Sequence, residues 1–310
     1  MEIILTSIFP ICLIVALGTL LNLRGFLSVN FFTQLNRLSF YILLPALLFH
    51  KITTAARESL APAMWIGIML CVCSIIITIA ALLWGRWMKL SAPSLRSLMQ
   101  ASMRGNIAYS GLPIVLFMFG ADSEAAQLAV LGLIPSVPFY NFLAVIILTP
   151  RQGAGHLTRM RRTAESILRN PLIISCVLGL ICMLTQIKIP EPVMRAITNL
   201  GQAALPCALL SLGSGLSFKT INAQLKPAAA ATLLKLIAMP LVGYALIRLL
   251  NIRDDQFLVI SMIYLASPAA VTSYVMAEQM GADKELAASV VTLSTLCAMP
   301  VLAIILLIFS

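Results

Sequence analysis

Apolar runs follow one another from residue 3 to residue 309 with only short breaks between them. Each is about 20 residues long, the length an α-helix needs to cross the ~30 Å hydrocarbon core of a bilayer. Lipid offers no water to satisfy a free N–H or C=O, so a run of that kind must satisfy its own backbone as a helix. Ten spans can be drawn, at approximately 3–23, 31–50, 62–85, 95–119, 125–149, 170–187, 192–216, 226–250, 256–280 and 286–309. Sixty per cent apolar residues, ten per cent charged and a mean hydropathy of +1.00 lie well outside the range of soluble domains. An all-α membrane protein is predicted.

The chain also repeats itself. Gly120-Ala121-Asp122-Ser123-Glu124 returns as Gly281-Ala282-Asp283-Lys284-Glu285, an offset of 281 − 120 = 161. The same spacing relates Pro10 to Pro171 and Leu44-Pro45 to Leu205-Pro206. An internal duplication in so apolar a chain points to a transporter built from two related halves. The expected organisation is a first five-helix repeat over 1–150, a cytoplasmic connector over 151–169 and a second repeat over 170–310. An odd number of spans per half gives the halves opposite topology, so the repeat is predicted to be inverted.

Orientation follows from the basic residues. Loops after odd-numbered spans hold twelve Lys and Arg, and loops after even-numbered spans hold six. This bias puts the odd-span loops in the cytoplasm and both termini outside. Because the +10 net charge is spread over short breaks, the expected partner is the lipid bilayer and not nucleic acid. The first run opens Met1-Glu2-Ile3-Ile4, acidic where a signal peptide is basic, so a retained first span is expected. Seven cysteines fall almost wholly inside apolar runs and none forms a CxxC pair, and there are only two histidines. No disulfide framework, metal site or cofactor is expected from that inventory. His50 and His156 do not assemble a nucleophile–base pair, so no catalytic residues are predicted.

Three basic residues fall within spans: Arg37, Arg104 and Lys235. Arg104 lies ten residues beyond Ser94, about 15 Å deep at ~1.5 Å per residue, near the midplane. Lys235 is similarly deep. A charge there costs ~2.5–3.5 kcal/mol on insertion scales and requires a partner or a watery cavity. Every acid except Glu278 falls at a span end or in a loop, and Glu278 is only three residues from Gly281. The missing negative charge is therefore assigned to the substrate, with Arg104 and Lys235 as its counter-ions. The competing assignment has the two cations bonding exposed carbonyls of broken helices or snorkelling to an interface. Glu278 is a candidate coupling-ion site, or a snorkelling residue.

The fourth span is interrupted from Gly105-Asn106 to Gly111-Leu112-Pro113, and the ninth at Ala266-Ser267-Pro268. A break frees backbone N–H groups and gives each half-helix N-terminus partial positive charge. Two breaks at offset 161, placing Gly105-Asn106 opposite Ala266-Ser267, predict an anion cradle at midplane. Asn106, Ser267 and the amides beside Pro268 are its expected hydrogen-bond donors. Gly-Ala-Asp-x-Glu is read as a helix stop followed by acids in the next first turn. Gly213-Ser214-Gly215 is read as a close helix contact. Tyr41, Tyr109, Tyr140, Asn141 and Tyr264 are candidates either to line a cavity or to make helix contacts.

Arg104-Gly105-Asn106-Ile107-Ala108-Tyr109-Ser110-Gly111-Leu112-Pro113 resembles the fourth-span motif of the auxin efflux carrier family, and Leu265-Ala266-Ser267-Pro268 its ninth-span counterpart. Lys235-Leu236-Ile237-Ala238-Met239-Pro240 resembles the eighth-span motif. Leu44-Pro45-Ala46-Leu47 and Leu205-Pro206-Cys207-Ala208-Leu209 fit the second and seventh spans. The resemblance covers the whole chain. It implies ten helices in two inverted repeats, like the bile acid–sodium symporter fold, with crossing fourth and ninth helices. It further implies a scaffold of helices 1, 2, 6 and 7, a transport domain of helices 3–5 and 8–10, and a homodimer. The implied substrates are organic anions, among them auxin, malate and malonate. Gly105 stands where plant carriers often have proline, and the long central loop of many plant members is absent, which fits a compact bacterial permease. A sodium-coupled carrier of bulkier amphipathic anions is the nearest alternative.

Overall fold

The computed structural model describes residues 8–149, 165, 168–214 and 224–309. Apart from Glu165, Leu168 and Arg169, the expected connector at 151–169 lies outside the described residues, as does Gly215. The described residues are mostly helical and form no strand.

In chain order the helices are α1 (Phe9–Leu23), α2 (Val29–Leu38), α3 (Leu44–Thr53), α4 (Leu60–Trp87), α5 (Ala92–Met103), α6 (Leu112–Phe119) and α7 (Glu124–Leu148). They continue as α8 (Pro171–Thr185), α9 (Glu191–Gln202), α10 (Ala204–Ser214), α11 (Leu225–Leu233), α12 (Met239–Leu249), α13 (Asp255–Leu265), α14 (Thr272–Gln279) and α15 (Lys284–Phe309). A π-helical turn, Ser39–Leu43, joins α2 to α3, another, Leu234–Ala238, joins α11 to α12, and a third, Ile107–Gly111, leads into α6. Among the described residues, six stretches are long and apolar enough to cross a membrane: Val29–Thr53, Arg57–Trp87, Glu124–Leu148, Glu191–Ser214, Leu225–Leu249 and Lys284–Phe309. Phe9–Leu23, Ile107–Phe119, Pro171–Thr185 and Asp255–Leu265 are shorter apolar helices.

The periodicity of the sequence recurs in the helix boundaries. The stretches opening at Phe9, Val29, Leu60, Ala92, Leu112 and Glu124 are matched by stretches opening at Pro171, Glu191, Leu225, Asp255, Thr272 and Lys284, which lie 160 to 165 residues further on. Gly120 and Gly281 both take positive φ, +88° and +64°, a conformation glycine adopts without steric cost. Glu124 and Glu285 then fall in the first turns of α7 and α15, where the dipole favours acids, as read from the sequence.

The helices pack most extensively in two sets. One contains α1, α2, α3, α8, α9 and α10, with α1 on α10 and α3 on α8 and α9 as its main contacts. The other contains α4 to α7 and α11 to α15, with α4 on α5 and α7, and α15 on α5, α11 and α14. In the first set α1 and α10 touch backbone to backbone. A Cβ on Gly213 would sit 2.0 Å from the Val15 carbonyl oxygen, and one on Gly18 would sit 2.2 Å from that of Leu210. Thr19 Oγ1 donates to the Gly213 carbonyl at 2.8 Å across this contact. Helix α4 shows how the outside is built: Trp65, Ile68, Val72, Ile75, Ile79 and Leu83 are exposed along one stripe. Ile66, Leu70, Cys73, Ile77 and Ala81 are buried along the other. Apolar side chains on both faces are what a helix needs when its outer solvent is lipid.

Candidate functional site

Helix α5 ends at Met103 because Arg104 adopts an extended conformation (φ −90°, ψ 103°) and Asn106 follows at φ −83°, ψ 58°. Helix α13 ends at Leu265, ahead of Pro268, which has no N–H and disfavours helical geometry in Ser267. The two extended segments lie antiparallel. Asn106 N donates to the Pro268 carbonyl at 2.7 Å, and Ala270 N donates to the Arg104 carbonyl at 3.0 Å. Gly105 therefore faces Ala269, not Ala266. Repeat-equivalent residues are not partners here, because antiparallel pairing matches the start of one break with the end of the other. Each broken helix thus satisfies part of the other's backbone away from water.

Gly111 and Tyr264 pack closely where the two broken helices pass each other. A Cβ on Gly111 would lie 2.6 Å from Ser267 Oγ and 2.6 Å from Tyr264 Cδ1. Tyr264 is fully buried, and its hydroxyl donates to the Ala129 carbonyl at 2.9 Å. Pro113 sits in the first turn of α6, where its missing N–H costs least. Ser267 Oγ donates back to the Ile263 carbonyl at 2.9 Å, and Ala269 N donates to Ser294 Oγ at 3.0 Å.

On one side of the crossing a cavity of about 350 Å³ opens at the seam between the two helix sets. The second set supplies Arg104, Gly105 and Asn106, followed by the start of the next helical segment at Ile107, Ala108 and Tyr109. It also supplies Ala270, Val271 and Thr272, where α14 begins. The first set supplies Thr33, Asn36 and Arg37 from α2, Phe40 and Tyr41 beyond it, and Ser211 and Ser214 from α10. Two helical segments thus begin at the wall of one hollow, where helix N-termini carry positive partial charge. No acidic residue occurs among the described residues that line it.

Arg104 is 8% exposed and reaches the cavity wall from the end of α5. Its Nη2 donates to Asn141 Oδ1 at 2.8 Å, and its Nη1 lies 2.9 Å from Met276 Sδ. Neither contact neutralises it. Asn141 is thus the residue that orients Arg104, whereas Tyr41, Tyr109 and Tyr140 line the cavity. Asn106 is 5% exposed, and its Nδ2 donor is buried without a hydrogen-bond partner. Such a group is costly unless something completes it.

Lys235 takes the competing assignment. It is fully buried, donates to the Leu265 carbonyl at 2.9 Å, lies 3.0 Å from Met239 Sδ, and does not line the cavity. A Cβ on Gly105 would come within 3.0 Å of its Nζ, so the ammonium sits behind Gly105 and caps the last turn of α13. Gly111, Pro113, Ser267 and Pro268 shape the crossing and likewise stay out of the cavity. Glu278, in the last turn of α14, is 47% exposed and pairs with Lys284 at 2.8 Å. It belongs to a surface ion pair and not to an enclosed ion site. Arg37 is the residue sequence reasoning passed over. Its signal was there: Thr33, Asn36 and Arg37 share one face of a helix within a membrane span.

A multi-pass helical protein whose two interrupted helices meet beside a cationic hollow has the anatomy of a membrane transporter. Residues 3–306 match the family described as membrane transport protein, and the chain belongs to that family, the auxin efflux carriers. An uncharacterized transporter of Methanocaldococcus jannaschii is 25% identical over 300 residues, 95% of each chain. One of Methanothermobacter thermautotrophicus is 23% identical over 300 residues, 94% of each chain. A Rhizobium meliloti protein named "Putative malonate transporter" is 24% identical over 270 residues, 84% of this chain and 82% of its own.

Proposed function

We propose that this protein is a secondary active transporter that moves a small carboxylate across the bacterial inner membrane by alternating access. The observation that carries the reading is Arg104: a guanidinium at the crossing, without an acid, on the wall of a hollow that receives two half-helix N-termini. A carboxylate there meets a charged fork, two helix N-termini and the unpartnered Asn106 Nδ2, all of which strengthen when desolvated. The Rhizobium relative's name points to a dicarboxylate of the same general kind. The volume supports a small acid over a bulky amphipathic anion, because ligand pockets run from about 300 to 1,000 Å³ and this one lies near the lower end.

In this reading ten spans form two inverted five-helix repeats, 1–150 and 170–310, joined in the cytoplasm by 151–169, with both termini outside. Recurrence of the helix boundaries after 160 to 165 residues supports the repeat. The set built on α1 to α3 and α8 to α10 is the scaffold. The set that holds the crossing moves against it and carries the cavity from one side to the other. Lys235 holds the crossing together and acts on the substrate only through its charge, from behind Gly105.

Reconstituted wild-type protein should accumulate a radiolabelled dicarboxylate in liposomes. Arg104→Gln should abolish this while insertion and expression stay at the wild-type level. Full transport by Arg104→Gln removes Arg104 from the mechanism. Uptake that depends on an inward sodium gradient and favours bulky amphipathic anions would make the alternative carrier the better description.

A further inference from the structure

We infer, on the carboxylate reading above, that Arg37 is a second anion contact in the cavity and makes this chain selective for short dicarboxylates over monocarboxylates. The cavity-facing residues of α2 are Val29, Phe32, Thr33, Asn36 and Arg37, with Phe40 one turn beyond. They succeed one another at intervals of three and one, which is a single helical face. Arg37 is thus carried toward the hollow by the register of its own helix, about 12 Å along the span from Val29 at ~1.5 Å per residue. A guanidinium so placed in a membrane span needs water or a counter-charge, and the cavity is where either is found.

The two arginines are differently held. Arg104 is almost enclosed and is braced by Asn141, whereas Arg37 is exposed. They also ride on different helix sets, Arg37 on the first and Arg104 on the second. With no acid among the described lining residues, the two positive charges share one small hollow uncompensated. A dianion satisfies both, each carboxylate meeting a planar guanidinium fork, and ties the two sets together while bound. A monoanion reaches one arginine and leaves the other unmatched. The apolar wall formed by Phe32, Phe40 and Val275 accepts the carbon chain between the two ends.

The test is thermal stabilisation and equilibrium binding of the purified full chain in detergent. Succinate and butyrate, which share a chain length, are the probes, together with indole-3-acetate. Wild type should bind succinate about tenfold or more tightly than butyrate, the worth of one further charge-assisted hydrogen-bonded contact. Arg37→Gln should lose that preference by weakening succinate alone, while Arg37→Lys should keep part of it. Arg104→Gln should lose both ligands. A second measurement needs no variant: on wild type, succinate affinity should fall more steeply with sodium chloride than butyrate affinity.

If Arg37→Gln keeps the succinate preference, if the two salt slopes are equal, or if wild type prefers indole-3-acetate, Arg37 is not an anion contact. Each of those results leaves the carboxylate reading standing. If no carboxylate binds wild type at all, that underlying reading is what fails.

Discussion

At the residue scale, Arg104 and Lys235 show that equal depth in a membrane does not mean equal duty. Lys235 donates to a helix-end carbonyl behind Gly105, while Arg104 lines the cavity with its fork braced by Asn141. Lys235→Ala should therefore act on the fold. It leaves the Leu265 carbonyl unmet and opens a small void, and relief from burying an ammonium offsets part of that loss. A net fall of about 1–3 kcal/mol is expected, read as a lower thermal midpoint, with carboxylate affinity near wild type. A large loss of affinity at unchanged stability would return Lys235 to the site. Gly111 supplies a second contrast. A methyl group there meets Ser267 and Tyr264 inside their van der Waals radii, so Gly111→Ala should cost about 1–3 kcal/mol by overpacking. Gly105→Ala meets only the flexible end of Lys235 at 3.0 Å and should be milder in the same assay. Both cations were legible in the sequence because depth follows from counting residues along a span. Which way each side chain turned was not legible, because a break in the helix resets the rotation that counting assumes. Arg37 stayed hidden for the opposite reason: its helix is regular, but the hollow it faces is built by residues far away in the chain.

At the scale of the elements, three prolines sit directly behind π-helical turns. Ser39–Leu43 precedes Pro45, Ile107–Gly111 precedes Pro113, and Leu234–Ala238 precedes Pro240. A widened turn moves the carbonyl that the proline ring would otherwise strike, so the helix bends without ending. The sequence marked these sites through their prolines, yet proline alone does not distinguish a π turn from a kink or a break. Only at 104–106 and 266–271 does the helix open fully, where Gly105-Asn106 and Ser267-Pro268 remove helical preference on both sides. At the end of α3, Lys51 Nζ pairs with Asp122 at 2.7 Å and so links one helix set to the α6–α7 loop of the other. The hydrogen bond and the charge of Lys51 hold the Asp122 carboxyl below its ordinary value of 3.8. A depressed acid contributes stability that is complete above its unfolded pKa and disappears as pH falls through the lower, folded value. The thermal midpoint of wild type should exceed that of Asp122→Asn near neutral pH, and the margin should disappear as pH falls through the ordinary carboxyl value and below it. The margin itself should be small, about 0–1 kcal/mol, because Asp122 is 95% exposed and water screens the pair. A margin that grows in acid would show that the pair does not stabilise the folded state.

For the whole molecule, the cavity's position at the seam between the two helix sets makes its walls separable. The contacts that span the seam are sparser than those within either set: α10 against the Ile107–Gly111 turn, α3 and α8 against α7, Lys51 paired with Asp122, and Arg57 donating to the Met183 and Leu184 carbonyls. Within each set, by contrast, helices interlock along their length, as α1 and α10 do at Gly18 and Gly213. Two interlocked bodies with a thin join favour rigid sliding or rocking over rearrangement inside either body. Alternating access then requires the join to open and close in every cycle. A covalent strap at Lys51 and Asp122 tests this, because those residues join the two sets in the conformation described. The double variant Lys51→Cys, Asp122→Cys would be made in a background from which the seven native cysteines have been replaced. It would then be joined with a short bis-methanethiosulfonate, which forms a disulfide with each thiol as methanesulfinate leaves and which a reductant cleaves. Joined protein should still bind succinate, since the cavity wall is untouched, but should transport none, and reduction should restore the rate. Transport at the full rate through the joined protein would mean that the two sets do not part at this face. The moving boundary would then have to run inside the second set, between the crossing and the helices that now hold it.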